Sequence, residues 1–191
     1  MVENTPKDLE LRLSAFLHDI GKPPAKATDQ KGIDHFYGHG DKSAKMTQDI
    51  LHRLRLDNQT IKNVVRLVKL HDAEIDGSPY SIRKVASRIG EDLFLKLIAL
   101  ERADCAGQNP HKVQGKLDDL DRAEEYFVNN RAEMALTIAG LAVNGADLIG
   151  IGIKKGPDVG RTLNTLLKAV IKDPKLNKKE SLLKLAKGIG N

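Results

Sequence analysis

The sequence predicts an all-α fold, a helical bundle with a small helical C-terminal extension, on three observations. Aromatic residues make up only 4% of the chain and tryptophan is absent, so the core must be built from Leu, Ile, Val and Ala. That palette favours packed helices over sheets. Apolar residues recur at three- and four-residue spacing through most of the chain. Glycine, proline and short polar clusters cut these periodic stretches into pieces of helix length. At 191 residues, 40% hydrophobic and 30% charged, the chain can bury one sizeable core of ordinary composition.

Residues 8–20 are leucine-rich and predict a largely buried helix, stopped by Gly21 and the Pro23-Pro24 pair. Residues 25–40 predict a loop that ends in His35-Phe36-Tyr37-Gly38-His39-Gly40. Ser43 to Leu56 predicts an amphipathic helix with Ala44, Met46, Ile50, Leu51 and Leu54 on or near one face. Asn58 is the expected cap of a helix running to about Asp72. Asp76-Gly77-Ser78-Pro79 reads as a turn, and Ser81 opens a helix that ends at Gly90. A further helix covers about 91–106 and stops near Gln108-Asn109-Pro110, and 116–131 is a charged helix with one face exposed. Residues 143–160 are glycine-rich, and helices follow at 158–172 and 178–187, separated by Asp173-Pro174. The change of character places a boundary near 138, dividing the chain into 1–138 and 139–191.

The lone cysteine, Cys105, excludes an internal disulfide and fits a reducing cytoplasm. Met1 to Arg12 is polar and lacks the apolar core of a secretory signal. No apolar run approaches the roughly 18 residues that span a bilayer, so no membrane partner is expected. The net charge of +5 is uneven: residues 152–191 hold ten Lys or Arg against three Asp or Glu. The whole positive excess therefore lies in the last forty residues. Such a balance suits a polyanion such as RNA or DNA, and it equally describes a solvated lysine-rich surface.

The strongest local feature is His18-Asp19-Ile20-Gly21-Lys22 at the end of the first helix. A neutral imidazole beside a carboxylate is a good pair for a divalent cation. Gly21 lets the chain turn sharply, and Lys22 can stand near a phosphate. Alone, the pair also reads as a satisfied buried contact. Asp104 follows Leu93, Leu97 and Leu100 on one helix face, so it interrupts an apolar stripe. A carboxylate there needs a cation or a salt bridge, for which Arg102 or Lys96 would serve. His71 continues the stripe of Val64, Leu67 and Val68, as a ligand or as a hydrogen-bonded core residue. His35 and His39 fall in the loop, His52 reads as surface, and His111 has no assigned role.

His18-Asp19-Ile20-Gly21-Lys22-Pro23, the His35 to Gly40 stretch with Ser43-Ala44, Leu70-His71-Asp72 and Arg102-Ala103-Asp104 together resemble the HD superfamily. Within it the chain is similar to the C-terminal region of bacterial CCA-adding enzymes and poly(A) polymerases. Leu141 to Leu148, Gly152-Ile153-Lys154-Lys155-Gly156-Pro157 and Val159-Gly160 extend the likeness through the tail. The resemblance implies an HD-domain bundle around a divalent-metal pocket (Mn, Ni, Mg or Zn). His18, Asp19 and Asp104 match metal ligands of the pattern, and His39 and His71 fall where additional ligands occur. His18, Asp19 and Lys22 are then the catalytic group, with Arg102 a phosphate neighbour. Members with the full set are metal-dependent phosphohydrolases that direct water onto phosphorus.

Two departures shape the expectation. Only 17 residues precede His18, too few for a nucleotidyltransferase head, so the chain alone is not expected to add nucleotides. The pattern also opens with an upstream histidine, and none precedes His18 here, which suits a truncated gene or a fragment of a longer enzyme with an incomplete ligand set. In the tail, Pro157 near a helix start and the cations Lys154, Lys155 and Arg161 suit a phosphate, while Asp158 alternatively caps that helix. The expected function is HD-type phosphohydrolysis of nucleotides or RNA ends, in a full or degenerate form. The alternative is a non-catalytic RNA- or tRNA-binding body.

Overall fold

The computed structural model describes residues 1–189. These are helical apart from one short antiparallel ribbon. Helix α1, Leu9–Leu17, starts at Asp8, whose carboxylate accepts the Leu11 N–H at 2.9 Å. It ends earlier than its leucine pattern predicts, and it is less buried: Phe16 is 72% exposed. Pro23 and Pro24 do not stop a helix. They occupy the first turn of a short one, α2 (Lys22–Ala25), where a missing N–H costs nothing. The expected 25–40 loop contains strands β1 (Ala27–Thr28) and β2 (Asp34–His35), with Ala27 opposite His35 and Thr28 opposite Asp34.

Helix α3, His39–Arg53, begins four residues before Ser43, because Gly38 (φ 70°) turns the chain into it directly from the ribbon. Ala44 and Leu51 are buried, whereas Met46 and Leu54 of the predicted face are exposed. Helix α4, Asn58–Leu70, is capped by Asp57, not Asn58: the Asp57 carboxylate accepts the Gln59 and Thr60 N–H groups. Helix α5, Pro79–Ile89, is capped by Ser78, two residues ahead of the expected start. Helix α6, Glu91–Cys105, matches its predicted span. Helix α7, Pro110–Asn130, takes in residues read as loop, since Asn109 caps it and Pro110 fills its first position. The glycine-rich stretch holds α8, Gly145–Gly150, closed by reciprocal Asn144 and Asp147 caps. Helices α9 (Pro157–Lys172) and α10 (Lys179–Ile189) follow.

The largest core cluster gathers Leu, Ile and Val from α1 and α4 to α7 around Phe94 and Phe127, whose rings lie 4.6 Å apart. A second cluster joins α1, α3 and α4 through Leu17, Ala44, Leu51, Val64 and Val68. It packs α3 on α4, and so sets the start of α3 beside the end of α4. A third cluster lies within the C-terminal helices, around Leu148, Leu166, Val170 and Leu182. Buried Arg83 of α5 ties α9 to the body. Its Nε donates to the Ile171 carbonyl at 2.8 Å, and its other nitrogens reach the Lys172 carbonyl and the Tyr126 hydroxyl. These carbonyls are the orphan acceptors at a helix end. Among the described residues no helix is long and apolar enough to cross a membrane.

Candidate metal centre

Four helix ends converge on one open cavity of about 410 Å³. His18 ends α1, Asp19 follows it, His39 opens α3, His71 ends α4 and Asp104 lies in the last turn of α6. All five line the cavity, with Lys22, Phe36, Tyr37, Gly38 and Asp72. Side chains at helix ends point past the backbone, so short contacts between ends suffice to collect them.

The approach of α1 to α3 depends on Gly21. Its φ is −84°, an ordinary helical value, so the glycine does not serve to make a sharp turn. A Cβ there would lie 2.4 Å from the Ser43 backbone nitrogen and 2.6 Å from the His39 carbonyl. The Gly21 N–H donates to the buried Ser43 hydroxyl at 2.9 Å. Gly40 acts similarly against α4, where a Cβ would lie 3.0 Å from the Lys69 carbonyl. The absence of side chains at these two points is what brings His18, His39 and His71 together.

Each of the three histidines is oriented in the same way. Nδ1 of His18 lies 3.0 Å from the Ala15 carbonyl, that of His39 3.0 Å from Phe36, and that of His71 2.7 Å from Val68. A carbonyl can only accept, so Nδ1 carries the proton and Nε2 turns its lone pair into the cavity. This is the arrangement in which imidazoles bind metal ions. Burial pushes the His71 pKa down, and His18 and His39 add to this against the pull of the Val68 carbonyl and Asp19. The ring is thereby kept in its neutral, ligating form.

Asp19 sits at the centre. Its Oδ2 lies 3.1 Å from His18 Nε2 and accepts from Lys22 Nζ at 2.7 Å. Burial raises its pKa, and the hydrogen bond from Lys22 together with the Lys22 charge outweighs that, holding the carboxyl below its ordinary value. Its Oδ1 lies 3.5 Å from both His39 Nε2 and His71 Nε2, and is buried without a hydrogen-bond partner. Nε2 of His39 and Nε2 of His71 are only 3.1 Å apart. Two lone pairs and a bare carboxylate oxygen facing one another repel. A divalent cation coordinated by them removes the conflict, so the donor set fits such an ion. Among the described residues, His18, Asp19 and His71 form the group whose ligand atoms come within 4.8 Å of one another.

The remaining assignments divide. Asp104 stands at the cavity, with Oδ1 3.8 Å from His18 Nε2, and Gln108 donates to its other oxygen at 2.9 Å. It does not lie in the core stripe: its side chain is 37% exposed at the cavity while its neighbours Ala103 and Cys105 are buried. Neither proposed salt-bridge partner meets it: Lys96 binds Asp8 and Glu10, and Arg102 binds Asp121 and Glu124 of α7. Arg102 is thus absent from the cavity lining. His35 pairs with Asp29 on the ribbon, and His39 is a helix residue, not a loop residue. Asp72, to which sequence reasoning assigns no separate role, also lines the cavity.

Lys154 and Lys155 lie in the connection between α8 and α9, and Arg161 lies in the first turns of α9. Lys154 and Arg161 line a second cavity of about 860 Å³ with Lys187, Thr162 and Thr165. Helix α9 starts at Gly156 with Pro157 in its first position and no side-chain cap. Asp158 does not cap it and instead accepts from Arg161 one turn on.

The family model for tRNA nucleotidyltransferase domain 2 matches residues 36–186. The chain is 29% identical over 163 residues to the CC-adding tRNA nucleotidyltransferase of Thermus thermophilus, covering 84% of this chain and 36% of that protein. It is 31% identical over 169 residues to the A-adding tRNA nucleotidyltransferase of Deinococcus radiodurans, covering 85% and 38%. A CCA-adding enzyme of Limosilactobacillus fermentum is 48% identical over 46 residues, 24% of this chain and 12% of the enzyme. The chain spans less than two fifths of the length of the first two relatives. No solved structure matches it. With most of its length, from the ribbon to the last helix, accounted for by one model, the chain belongs to the tRNA nucleotidyltransferase domain 2 family.

Proposed function

We propose that the chain is a tRNA-binding body of the nucleotidyltransferase type, with the C-terminal helices as its RNA contact. The observation that carries this is the charge partition: ten cations against three acids in residues 152–191. Part of that excess, Lys154, Arg161 and Lys187, gathers around one cavity. The uncapped first turn of α9 adds free N–H groups beside it. The named relatives are tRNA nucleotidyltransferases, and the match covers under two fifths of their length. We assign nucleotide addition to the remainder, so this chain alone adds no nucleotides. A tRNA partner places it in the cytoplasm.

The test is fluorescence anisotropy with labelled tRNA at rising salt. Binding through several phosphates predicts that log K falls linearly with log salt, by roughly 0.7–0.9 per phosphate contact. Binding that is absent at low salt, or flat with salt, contradicts the reading.

A second reading, HD-type metal-dependent phosphohydrolysis of nucleotides or RNA ends, is favoured by one specific observation. Asp19 Oδ1 is buried and unpartnered between the lone pairs of His39 and His71. His18, Asp19 and His71 would hold a divalent ion, with His39 and Asp104 completing the set. Such an ion supplies Lewis-acid stabilisation of phosphoryl oxygen and activates water. Lys22 holds Asp19 ionised and adds positive charge at the cavity wall, where a phosphate would enter. Phe36 and Tyr37 form part of the wall. Elemental analysis after loading with Mn, Ni, Zn or Mg and desalting tests this. Near-stoichiometric metal in the parent and none in Asp19→Ala is expected, together with hydrolysis of bis(p-nitrophenyl) phosphate that the substitution abolishes. Metal retained equally by both proteins removes the reading.

A further inference from the structure

The cavity of about 860 Å³ in the C-terminal region is enclosed by three segments: the connection from α8 to α9, the first half of α9 and the end of α10. Phosphate binding accounts for only part of its lining. Lys154, Arg161 and Lys187 supply positive charge, and Asp158 offsets some of it by accepting from Arg161. The remainder is largely apolar. Ile151 and Ile153 come from the connection, and Ala186 and Ile189 from α10. A phosphate gains nothing from such walls, because they cannot replace the water it gives up. Thr162 adds a third kind of surface. It is only 6% exposed, yet it lines the cavity, and its hydroxyl makes no hydrogen bond among the described residues. Thr165, also in the lining, instead donates to the Arg161 carbonyl at 3.0 Å. A buried hydroxyl left open toward a cavity is satisfied only by what enters that cavity.

The matching ligand is flat and apolar on its faces, polar at its edge and joined to phosphate. We propose that this cavity takes one unpaired nucleobase of the bound tRNA. The isoleucines cover the faces of the base, the Thr162 hydroxyl meets its edge, and Lys154 and Lys187 meet the flanking phosphates. A hydroxyl both donates and accepts, so Thr162 serves any of the four bases. A paired base would first have to leave its stack, so the cavity favours a nucleotide already free in a loop. The volume of about 860 Å³ lies within the range of ligand sites, roughly 300–1,000 Å³, and holds a whole nucleotide. This base contact rests on the tRNA-binding proposal and deepens it from phosphate to base recognition.

Two charge-neutral variants of the full chain test it, by anisotropy with labelled tRNA and with a labelled, fully paired RNA duplex. Thr162→Val keeps the side-chain shape and removes the hydroxyl. Ile153→Ser removes an apolar wall at a half-buried position of the connection. Loss of one hydrogen bond predicts ~5-fold weaker tRNA binding by the first variant. Loss of the apolar contact predicts ~10-fold weaker binding by the second. The salt slope stays that of the parent in both, since no phosphate contact is lost. Duplex affinity, which depends on phosphates alone, is unchanged. Unchanged tRNA affinity in both variants, or an equal loss for tRNA and duplex, overturns the base contact and leaves tRNA binding itself intact. A parent that binds no tRNA removes both.

Discussion

Gly21→Ala is the sharpest probe of how the site is assembled. The added methyl would lie 2.4 Å from the Ser43 backbone nitrogen, 2.6 Å from the His39 carbonyl and 2.7 Å from the Ser43 hydroxyl. Ordinary contact begins at 3.4 Å, so α1 and α3 must separate by about 1 Å. Two of the three obstacles are backbone, and no rotamer change relieves them. Overpacking of this kind costs roughly 1–3 kcal/mol. Lengthening the buried bond from Gly21 N–H to Ser43 adds about 1 kcal/mol. The total, ~2–4 kcal/mol, corresponds to a fall in Tm of ~5–15 °C for a chain of this size. Thermal melts followed by circular dichroism at 222 nm measure it. Gly160→Ala is the control, because its Cβ meets nothing within 4 Å in the exposed interior of α9. It should be neutral or stabilising by up to ~1 kcal/mol. A Gly21→Ala protein within ~0.5 kcal/mol of the parent would refute the close-approach argument.

Three further outcomes follow from other contacts. Arg83→Ala strands the Ile171 and Lys172 carbonyls and should cost roughly 2–4 kcal/mol in urea denaturation, with α9 and α10 becoming the first proteolytic target. Glu101 is 1% exposed; burial raises its pKa to about 7, with Asp72 and Asp104 adding to the rise and Lys116 at 3.3 Å opposing it. Its folded pKa exceeds the unfolded value of 4.5, so its contribution is fully favourable below about pH 4.5 and is lost as pH rises through about 7. Glu101→Gln should therefore flatten that part of the stability profile by at most roughly 3 kcal/mol, read by urea titrations at pH 5 and pH 8. Asn144→Ala removes the side chain that accepts the Ala146 and Asp147 N–H groups, and should cost roughly 0.5–2 kcal/mol in the same assay.

Much of the helical plan was legible because periodicity and punctuation act locally. The span of α6 and its stop before Asn109 follow from an apolar stripe and a capping asparagine. The errors share a cause: a turn residue was read as an end where it was a beginning. Pro23, Pro24 and Pro110 sit in first turns, and Asn109 and Gly38 open helices. The ribbon at Ala27–Thr28 and Asp34–His35 has two residues per strand, too few for an alternation to show. At the site, chemistry named the residue types and the fold supplied their meeting. His39 and His71 are 32 residues apart, and only the Gly21 and Gly40 approaches bring their Nε2 atoms to 3.1 Å. The pairing of Arg102 with Asp121 and Glu124 was not legible, because they lie on a different helix that no spacing rule connects to it.

The proposed tRNA contact lies in the C-terminal region specifically and does not depend on net charge at large. Equilibrium tRNA binding at about 100 mM salt to two triple variants tests it most directly. One removes Lys154, Lys155 and Arg161. The other removes three exposed cations of the body, Lys45, Arg53 and Lys62, and so changes the net charge equally. A loss of ~30-fold or more is expected for the first and less than ~3-fold for the second, with a shallower salt slope only in the first. Equal losses in both variants, or a greater loss in the second, would contradict it.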